Sequence, residues 1–306
     1  MKPKVAIISG PTSAGKSEIA VAVAKEIGGE IVSADSMQVY RGMDIGTGKL
    51  SVDEMQGIEH HLIDVLEPDE DFNVSRFVDM AREAIDGILS RGRFPIIVGG
   101  TGFYIRSLLY TGETGDPGKD PEYRASLRER ADNGGLSSLY EELTERDPEY
   151  CGRITRNDRS RITRALEYIH STGEKYSVYC DSQTSDEPLY DASFFVLDCE
   201  RSKLYGKMDE RIDRMFDEGL VDEVKSLMSR GISRESTSMN AIGYKEVARY
   251  LSGEISLDEA KRLVKSNTHH YAVRQCTWFR KQEGTVTVDC SSLENATNEI
   301  LAHLKG

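Results

Sequence analysis

The stretch Gly10-Pro11-Thr12-Ser13-Ala14-Gly15-Lys16-Ser17 constrains this chain more than any other. It fills every fixed position of G-x-x-x-x-G-K-[ST], and it stands between a short apolar run, Lys4–Ser9, and a segment with Ala20, Val23, Ala24 and Ile27 on one helical face. Strand, glycine loop, helix is the setting in which such a loop cradles phosphate. The glycines let backbone N–H groups wrap an anion, Lys16 adds a point charge, the Ser17 hydroxyl suits Mg²⁺, and the helix N-terminus adds its dipole. Which phosphate compound it holds is not written in the loop.

The same alternation continues. Strands are expected at Glu30–Ala34, His61–Leu66 and Pro95–Val98, with a periodic helix carrying Phe77, Met80, Ala81, Ala84, Ile85, Ile88 and Leu89 between the last two. Repeated βα units imply an α/β fold, a P-loop NTPase-like parallel sheet flanked by helices, with ligands at the carboxyl ends of the strands. After Tyr110 the run Thr111–Gly118 is linker chemistry. Pro121 to Gly173 reads as helical and highly charged, and an apolar strand, Phe194–Cys199, is placed to return to the sheet. The expected organisation is a discontinuous core, 1–113 and 198–306, with an all-helical insertion at 114–197. From Ser202 to about Lys281 the pattern is again helical, with Leu204, Met208, Ile212, Met215 and Phe216 on one stripe and Gly219 as a break.

The length of 306 residues fits two such units at roughly 100–200 residues each. No apolar run approaches the roughly 18–20 residues of a membrane helix, which leads us to expect a cytoplasmic protein with no membrane partner. The five cysteines are odd in number and include no C-x-x-C pair, so free thiols are expected rather than a disulfide framework or a zinc site. Against 39 Lys and Arg stand 52 Asp and Glu, a net charge of −13. That balance argues against an indiscriminate polyanion binder but leaves room for a local basic patch.

Three further segments carry candidate chemistry. Asp35, in Ser33–Tyr40, follows the second strand and should face the same crevice as the phosphate loop; it suits a general base, a metal ligand or a turn cap. The glycines of Gly99-Gly100-Thr101-Gly102 allow close backbone approach to a ligand, or merely form a turn. Arg153 to Arg164 holds five arginines and one aspartate, a net +4 in an acidic chain. In the helix it opens, Ile162, Ala165, Leu166 and Ile169 form the apolar face, with Arg161, Arg164 and Tyr168 on the solvent side. Such a face grips a phosphate backbone or is simply solvated. His60 and His61 point to opposite faces of a strand, so a structural role is expected for both.

Taken together these residues resemble the bacterial tRNA dimethylallyltransferases, also called tRNA isopentenyltransferases, over essentially the whole chain. The matching blocks are GPTSAGKS at 10–17, SADSMQVYRGMDIGTGK at 33–49, HHLIDVLEP at 60–68, IVGGTGFYIRSLL at 97–109, RNDRSRITRALE at 156–167, AIGYKE at 241–246 and RQCTWFRK at 274–281. Gly48 and Leu50 stand where the family usually has Ala and Pro, and Val273 where Lys is frequent.

The resemblance implies transfer of a dimethylallyl group from dimethylallyl diphosphate to N6 of the adenine 3′ to the tRNA anticodon. Gly10 to Ser17 would hold the diphosphate leaving group with Arg211, and Mg²⁺ would sit on Ser17. Asp35 would accept a proton from, or hydrogen-bond to, the attacking amine, while Ser36, Met37 and Gln38 contact the adenine and Thr101 lines the channel where the substrates meet. Arg124 and Ser160, Arg161, Ile162, Thr163 and Arg164 would hold the anticodon stem-loop. No obligate protein partner is implied, and a monomer is expected. Rival readings are an adenylate isopentenyltransferase acting on free adenine nucleotides, a small-molecule P-loop kinase and a nucleotide-switched RNA-binding protein.

Overall fold

The computed structural model describes residues 2–110, 120–182 and 187–305, which fall into two units, 1–109 with 188–306 and 110–187. In the first, Val5, Ala6, Ile7 and Ile8 of β1 (Lys4–Ser9) are almost wholly buried. An apolar run of this kind is what a strand covered on both faces requires. Parallel pairing places β1 between β4 (Phe94–Gly99) and β5 (Asp191–Asp198), with Ile7 opposite Ile97 on one side and Phe194 on the other. With β2 (Gly29–Ser33), β3 (His60–His61) and β6 (Thr285–Asp289) the sheet runs β3-β2-β4-β1-β5-β6.

α1 (Lys16–Ile27) buries Ile19, Ala20, Val23 and Ala24 in the same cluster as Ile8, Ile31 and Phe195, and ends at Gly28 with φ 67°. α2 (Val52–Met55) is a single turn with a Ser51–Glu54 capping box. α3 (Val74–Ser90) starts on Asn73, whose side chain accepts from the Arg76 N–H, and buries Phe77, Ala81, Ile85 and Ile88. α4 (Gly102–Tyr110) follows β4 directly.

Three expectations about this unit need correcting. The strand proposed for His61–Leu66 stops after His61, because Leu62 and Asp64 adopt φ of 63° and 54° and turn the chain out of the sheet. β6 was not foreseen; it pairs with β5, Leu197 opposite Val288 and Asp198 opposite Asp289. That register brings the residues just beyond, Cys199 and Cys290, to a Cα separation of 5.4 Å, and they form a disulfide rather than remaining free. Cys151, Cys180 and Cys276 take no part in that disulfide. All of β5 belongs to the sheet, so the unit boundary falls at 187/188 and not after Leu197.

The second unit is helical: α5 (Pro121–Arg130), α6 (Leu136–Arg146), α7 (Pro148–Cys151), α8 (Arg159–Thr172) and α9 (Tyr176–Ser182). Leu127, Leu139, Leu143, Ile162, Ala165 and Leu166 form its core. Tyr168, expected on the solvent face, is buried, because Tyr176 and Tyr179 pack against its ring at 5.2 and 4.6 Å. The linker Thr111–Gly118 lies outside the described residues.

The C-terminal part of the first unit supplies α10 (Arg201–Asp217), α11 (Leu220–Ser229), α12 (Tyr244–Leu251), the long α13 (Leu257–Phe279) and α14 (Leu293–Lys305). Leu204, Met208 and Ile212 are buried as the stripe requires, and Gly219, at φ 108°, breaks the helix. Among the described residues no helix is long and apolar enough to cross a membrane.

Candidate active site

The loop that leaves β1 is shaped by its backbone. Gly10 takes φ 148°, and a Cβ there would lie 3.0 Å from the Leu197 carbonyl oxygen of β5. Ser13 and Gly15 occupy the left-handed region at 62° and 81°, so Ser13 holds a conformation that costs an L-residue about 1 kcal/mol. Gly15 then caps α1. Lys16 Nζ donates to the Pro11 carbonyl at 2.7 Å, curled over its own loop. Burial pushes its pKa down to about 8; the charge of Asp35 opposes that shift and the charge of Arg211 adds to it.

Arg211, from α10, is itself lowered, mainly by burial, with Asp35 acting in the opposite direction. Lys16, Arg211 and Asp35 are thus electrostatic neighbours: two half-buried cations that both feel the charge of one carboxylate. Arg211 Nη2 donates to the Gly48 carbonyl at 3.2 Å.

Asp35 is half-buried just past β2. Its Oδ1 accepts from the backbone N–H groups of Met37 at 2.8 Å and Gln38 at 3.3 Å, so the turn-capping role is realised by one oxygen. The other makes no hydrogen bond among the described residues and stays available for a proton or a substrate donor. Ser36, Met37 and Gln38 follow in the same half-buried turn; Gln38 Oε1 accepts from Ser33 Oγ at 3.2 Å, and its Nε2 donates to Thr47 O at 3.4 Å.

Thr101 sits between β4 and α4, and its buried Oγ1 completes no well-formed hydrogen bond. The glycines beside it approach protein rather than leave space for a ligand: a Cβ on Gly99 would overlap the Ala34 carbonyl, one on Gly100 the Gln275 amide, and one on Gly102 the Trp278 ring. Gln275 of α13 is 5% exposed; its Oε1 accepts from the Thr12 N–H at 2.9 Å and its Nε2 donates to Gly100 O at 3.0 Å, tying the phosphate loop to the Thr101 turn. Tyr271, one turn earlier, has its phenol pKa raised by burial and then by the charge of Asp35. Neither residue was found by motif, since each depends on contacts far apart in sequence; their only signal was a place in or beside the 274–281 block.

The second unit places the other expected site residues. Ser160 and Arg161 are exposed, the Arg161 side chain by 61%. Arg164 is less free: Glu167, 1% exposed, accepts from Arg164 Nη1 at 3.3 Å and from Arg124 Nη2 at 2.7 Å. Thr163 Oγ1 returns to the Arg159 carbonyl at 2.9 Å, and the Ile162 side chain is fully buried in the core. Much of the +4 segment is balanced locally, Arg153 by Asp181 and Glu149 and Arg159 by Asp132. Among the described residues Arg161 pairs with its own cap residue, Asp158, at 3.3 Å.

Oxygen donors suited to Mg²⁺ are present at the phosphate loop. The half-buried Ser17 hydroxyl makes no hydrogen bond among the described residues, and hard oxygen ligands are what this ion selects. The other acidic group, Glu30 with Glu59 and His61, is different in kind: Arg91 already pairs with Glu30 at 2.6 Å and His61 at 2.8 Å.

With this geometry in place, the likeness to known proteins is informative. Residues 38–282 match the family described as IPP transferase, and residues 3–67 match Isopentenyl transferase. The chain is 45% identical to a tRNA dimethylallyltransferase of Geobacillus thermodenitrificans, covering 100% of this chain and 98% of the relative. A namesake from Lachnoclostridium phytofermentans is 46% identical over 94% and 91% of the two chains. Among solved structures, a tRNA isopentenylpyrophosphate transferase of Bacillus halodurans superposes with a TM-score of 0.74 at 40% identity over 100% and 96%. A eukaryotic dimethylallyltransferase acting on tRNA reaches 0.83 at 28% identity over 99% and 79%. By its own loop, its sheet and these matches, the chain belongs to the IPP transferase family, among relatives named tRNA dimethylallyltransferase.

Proposed function

We propose that this protein transfers a dimethylallyl group from dimethylallyl diphosphate to N6 of the adenine 3′-adjacent to the anticodon of tRNA. The observation that carries the reading is the trio of Lys16, Arg211 and Asp35: two half-buried cations for a diphosphate and one carboxylate with an oxygen unengaged among the described residues.

The exocyclic amine of adenine is a poor nucleophile because its lone pair is delocalised into the ring, so holding the reactants and stabilising the leaving group must supply most of the rate. Lys16 and Arg211 neutralise charge that grows on the diphosphate as the allylic C–O bond breaks. Asp35 Oδ2 takes the proton that the amine loses as the new C–N bond forms. Gln38, fixed by Ser33 and Thr47, and Thr101, whose buried hydroxyl lies beside the Tyr271 phenol, hold the base. The target base must leave the anticodon-loop stack to reach them. Mg²⁺ bound at Ser17 would supply further charge to the diphosphate oxygens.

The exposed Arg161 and Ser160 suit the backbone of the anticodon stem-loop, as a basic point on an acidic chain. The protein acts as a monomer in the cytoplasm in this reading. Mass spectrometry of tRNA nucleosides from cells with and without the gene tests it: the isopentenyl-adenosine peak disappears on deletion, and its persistence would refute the assignment.

A further inference from the structure

Glu223, on α11, is far from every motif of the phosphate loop, yet its carboxylate is among the most heavily engaged in the molecule. Its Oε2 accepts from the backbone N–H groups of Asp44 at 2.9 Å and Ile45 at 2.8 Å, and its Oε1 from that of Gly46 at 3.1 Å. The fully buried Tyr244, from α12, donates its hydroxyl to Oε1 as well. Three successive N–H groups that point at one carboxylate define the path of the backbone through 44–46.

The two carbonyls that follow are the ones that hold site residues. Thr47 O accepts from Gln38 Nε2, and Gly48 O accepts from Arg211 Nη2. Lys49, next along, closes the loop by donating to the Tyr40 carbonyl at 2.9 Å and pairing with Asp44 and Asp64. The path leaves little room to adjust: a Cβ on Gly46 would overlap the Tyr244 ring, and one on Gly48 the Arg211 guanidinium.

We propose that Glu223 is a positioning residue for the transfer reaction: by gripping the 44–46 backbone it sets the Thr47 and Gly48 carbonyls, and through them aims Gln38 at the base and Arg211 at the diphosphate. The proposal rests on the function given above for the site, but its diphosphate half is measurable without catalysis. Glu223→Gln replaces one acceptor oxygen with a donor NH₂ and removes the charge; whichever way the amide turns, at least one backbone N–H of 44–46 faces a donor, so the grip weakens while the side-chain volume is kept. Tyr244→Phe removes one of four hydrogen bonds and leaves the three backbone contacts.

The test is a binding cycle with inorganic diphosphate, using wild type, Glu223→Gln, Arg211→Ala and the double variant, with thermal unfolding of each. Glu223→Gln weakens diphosphate binding about tenfold and Tyr244→Phe by no more than about threefold. In the Arg211→Ala background Glu223→Gln has almost no further effect, because the route through Arg211 is already gone. In transfer assays the KM for dimethylallyl diphosphate rises with Glu223→Gln while tRNA affinity holds. Additive losses in the cycle, or wild-type diphosphate affinity in a folded Glu223→Gln, would overturn the proposal. Should Glu223→Gln not fold, Glu223→Asp, which keeps the charge but draws the carboxylate back from the 44–46 N–H groups, takes its place in the same cycle with the same tenfold loss expected and the same results overturning the proposal. A wild type that binds diphosphate but prenylates no tRNA would refute the assigned function and leave this result standing.

Discussion

Arg211 Nη2 lies 3.2 Å from the carbonyl oxygen of Gly48 and fills the space that a Cβ on Gly48 would need. Gly48 also has φ 57°, which an L-residue adopts at a cost of about 1 kcal/mol. The residue that lets the loop turn is therefore the one that lets the guanidinium reach its place beside Asp35.

Gly48→Ala should displace Arg211 rather than unfold the protein. We expect about 1 kcal/mol loss in stability and a rise of about tenfold in the KM for dimethylallyl diphosphate, with tRNA affinity little changed. Steady-state kinetics with each substrate varied in turn measure the split; equal losses for both would show that the clash is relieved elsewhere.

If Lys16 holds the diphosphate as proposed, binding should depend on pH. Burial, with Arg211 nearby, brings its pKa from 10.5 down to about 8, so the charged form that holds the anion is present below that value and lost as pH rises through it. With one linked proton, affinity for inorganic diphosphate should fall by up to about tenfold per pH unit above about pH 8. Stability of the empty protein moves the other way: between about pH 8 and pH 10 the unfolded chain binds this proton and the folded one does not, so the group makes folding more favourable as pH rises. Titration calorimetry across that range checks the first statement, and Lys16→Met should flatten the slope. A wild-type profile without a break near pH 8 would contradict it.

Arg161 and Arg124 should behave differently although both are arginines of the helical unit. Arg161 is exposed and, among the described residues, pairs with Asp158 alone, so Arg161→Ala should weaken tRNA binding several-fold and reduce the salt slope by about one. Arg124 is spent on the buried Glu167, and Arg124→Ala leaves that carboxylate with fewer partners, at a cost of about 2 kcal/mol in stability. Filter binding over a range of salt, together with thermal unfolding, separates the two. A stable Arg124→Ala with the larger salt effect would reverse the assignment.

Alkylation counts the thiols. Denatured without reductant, the protein should take up label at Cys151, Cys180 and Cys276 only, and Cys199 and Cys290 should react after reduction. Labelling of all five in the unreduced sample, read by peptide mass spectrometry, would exclude the bond.

The sequence made the phosphate loop and the central strands readable because each is a local signal: a fixed glycine spacing, or an apolar run between turns. Asp35 was legible as a candidate for the same reason, at the end of a strand. What stayed hidden depends on partners distant in the chain. The half-polar run Thr285–Asp289 becomes a strand only because β5 offers an edge, and the Cys199–Cys290 pair only because those two strands share a register. Tyr168 lies on the polar side of its own helix, and it is buried by α9 rather than by its own pattern. Gln275 and Glu223 look like ordinary polar residues on helices until the backbone groups they satisfy are in view.

The most direct test of the central claim is transfer of labelled dimethylallyl groups from dimethylallyl diphosphate, with tRNA and free AMP offered in competition to wild type and to Asp35→Ala. The account predicts label in tRNA at the adenine 3′ to the anticodon and little in AMP. It also predicts a loss of turnover of at least about 100-fold in Asp35→Ala at nearly unchanged tRNA affinity. Label in AMP alone, or a fully active Asp35→Ala, would contradict it.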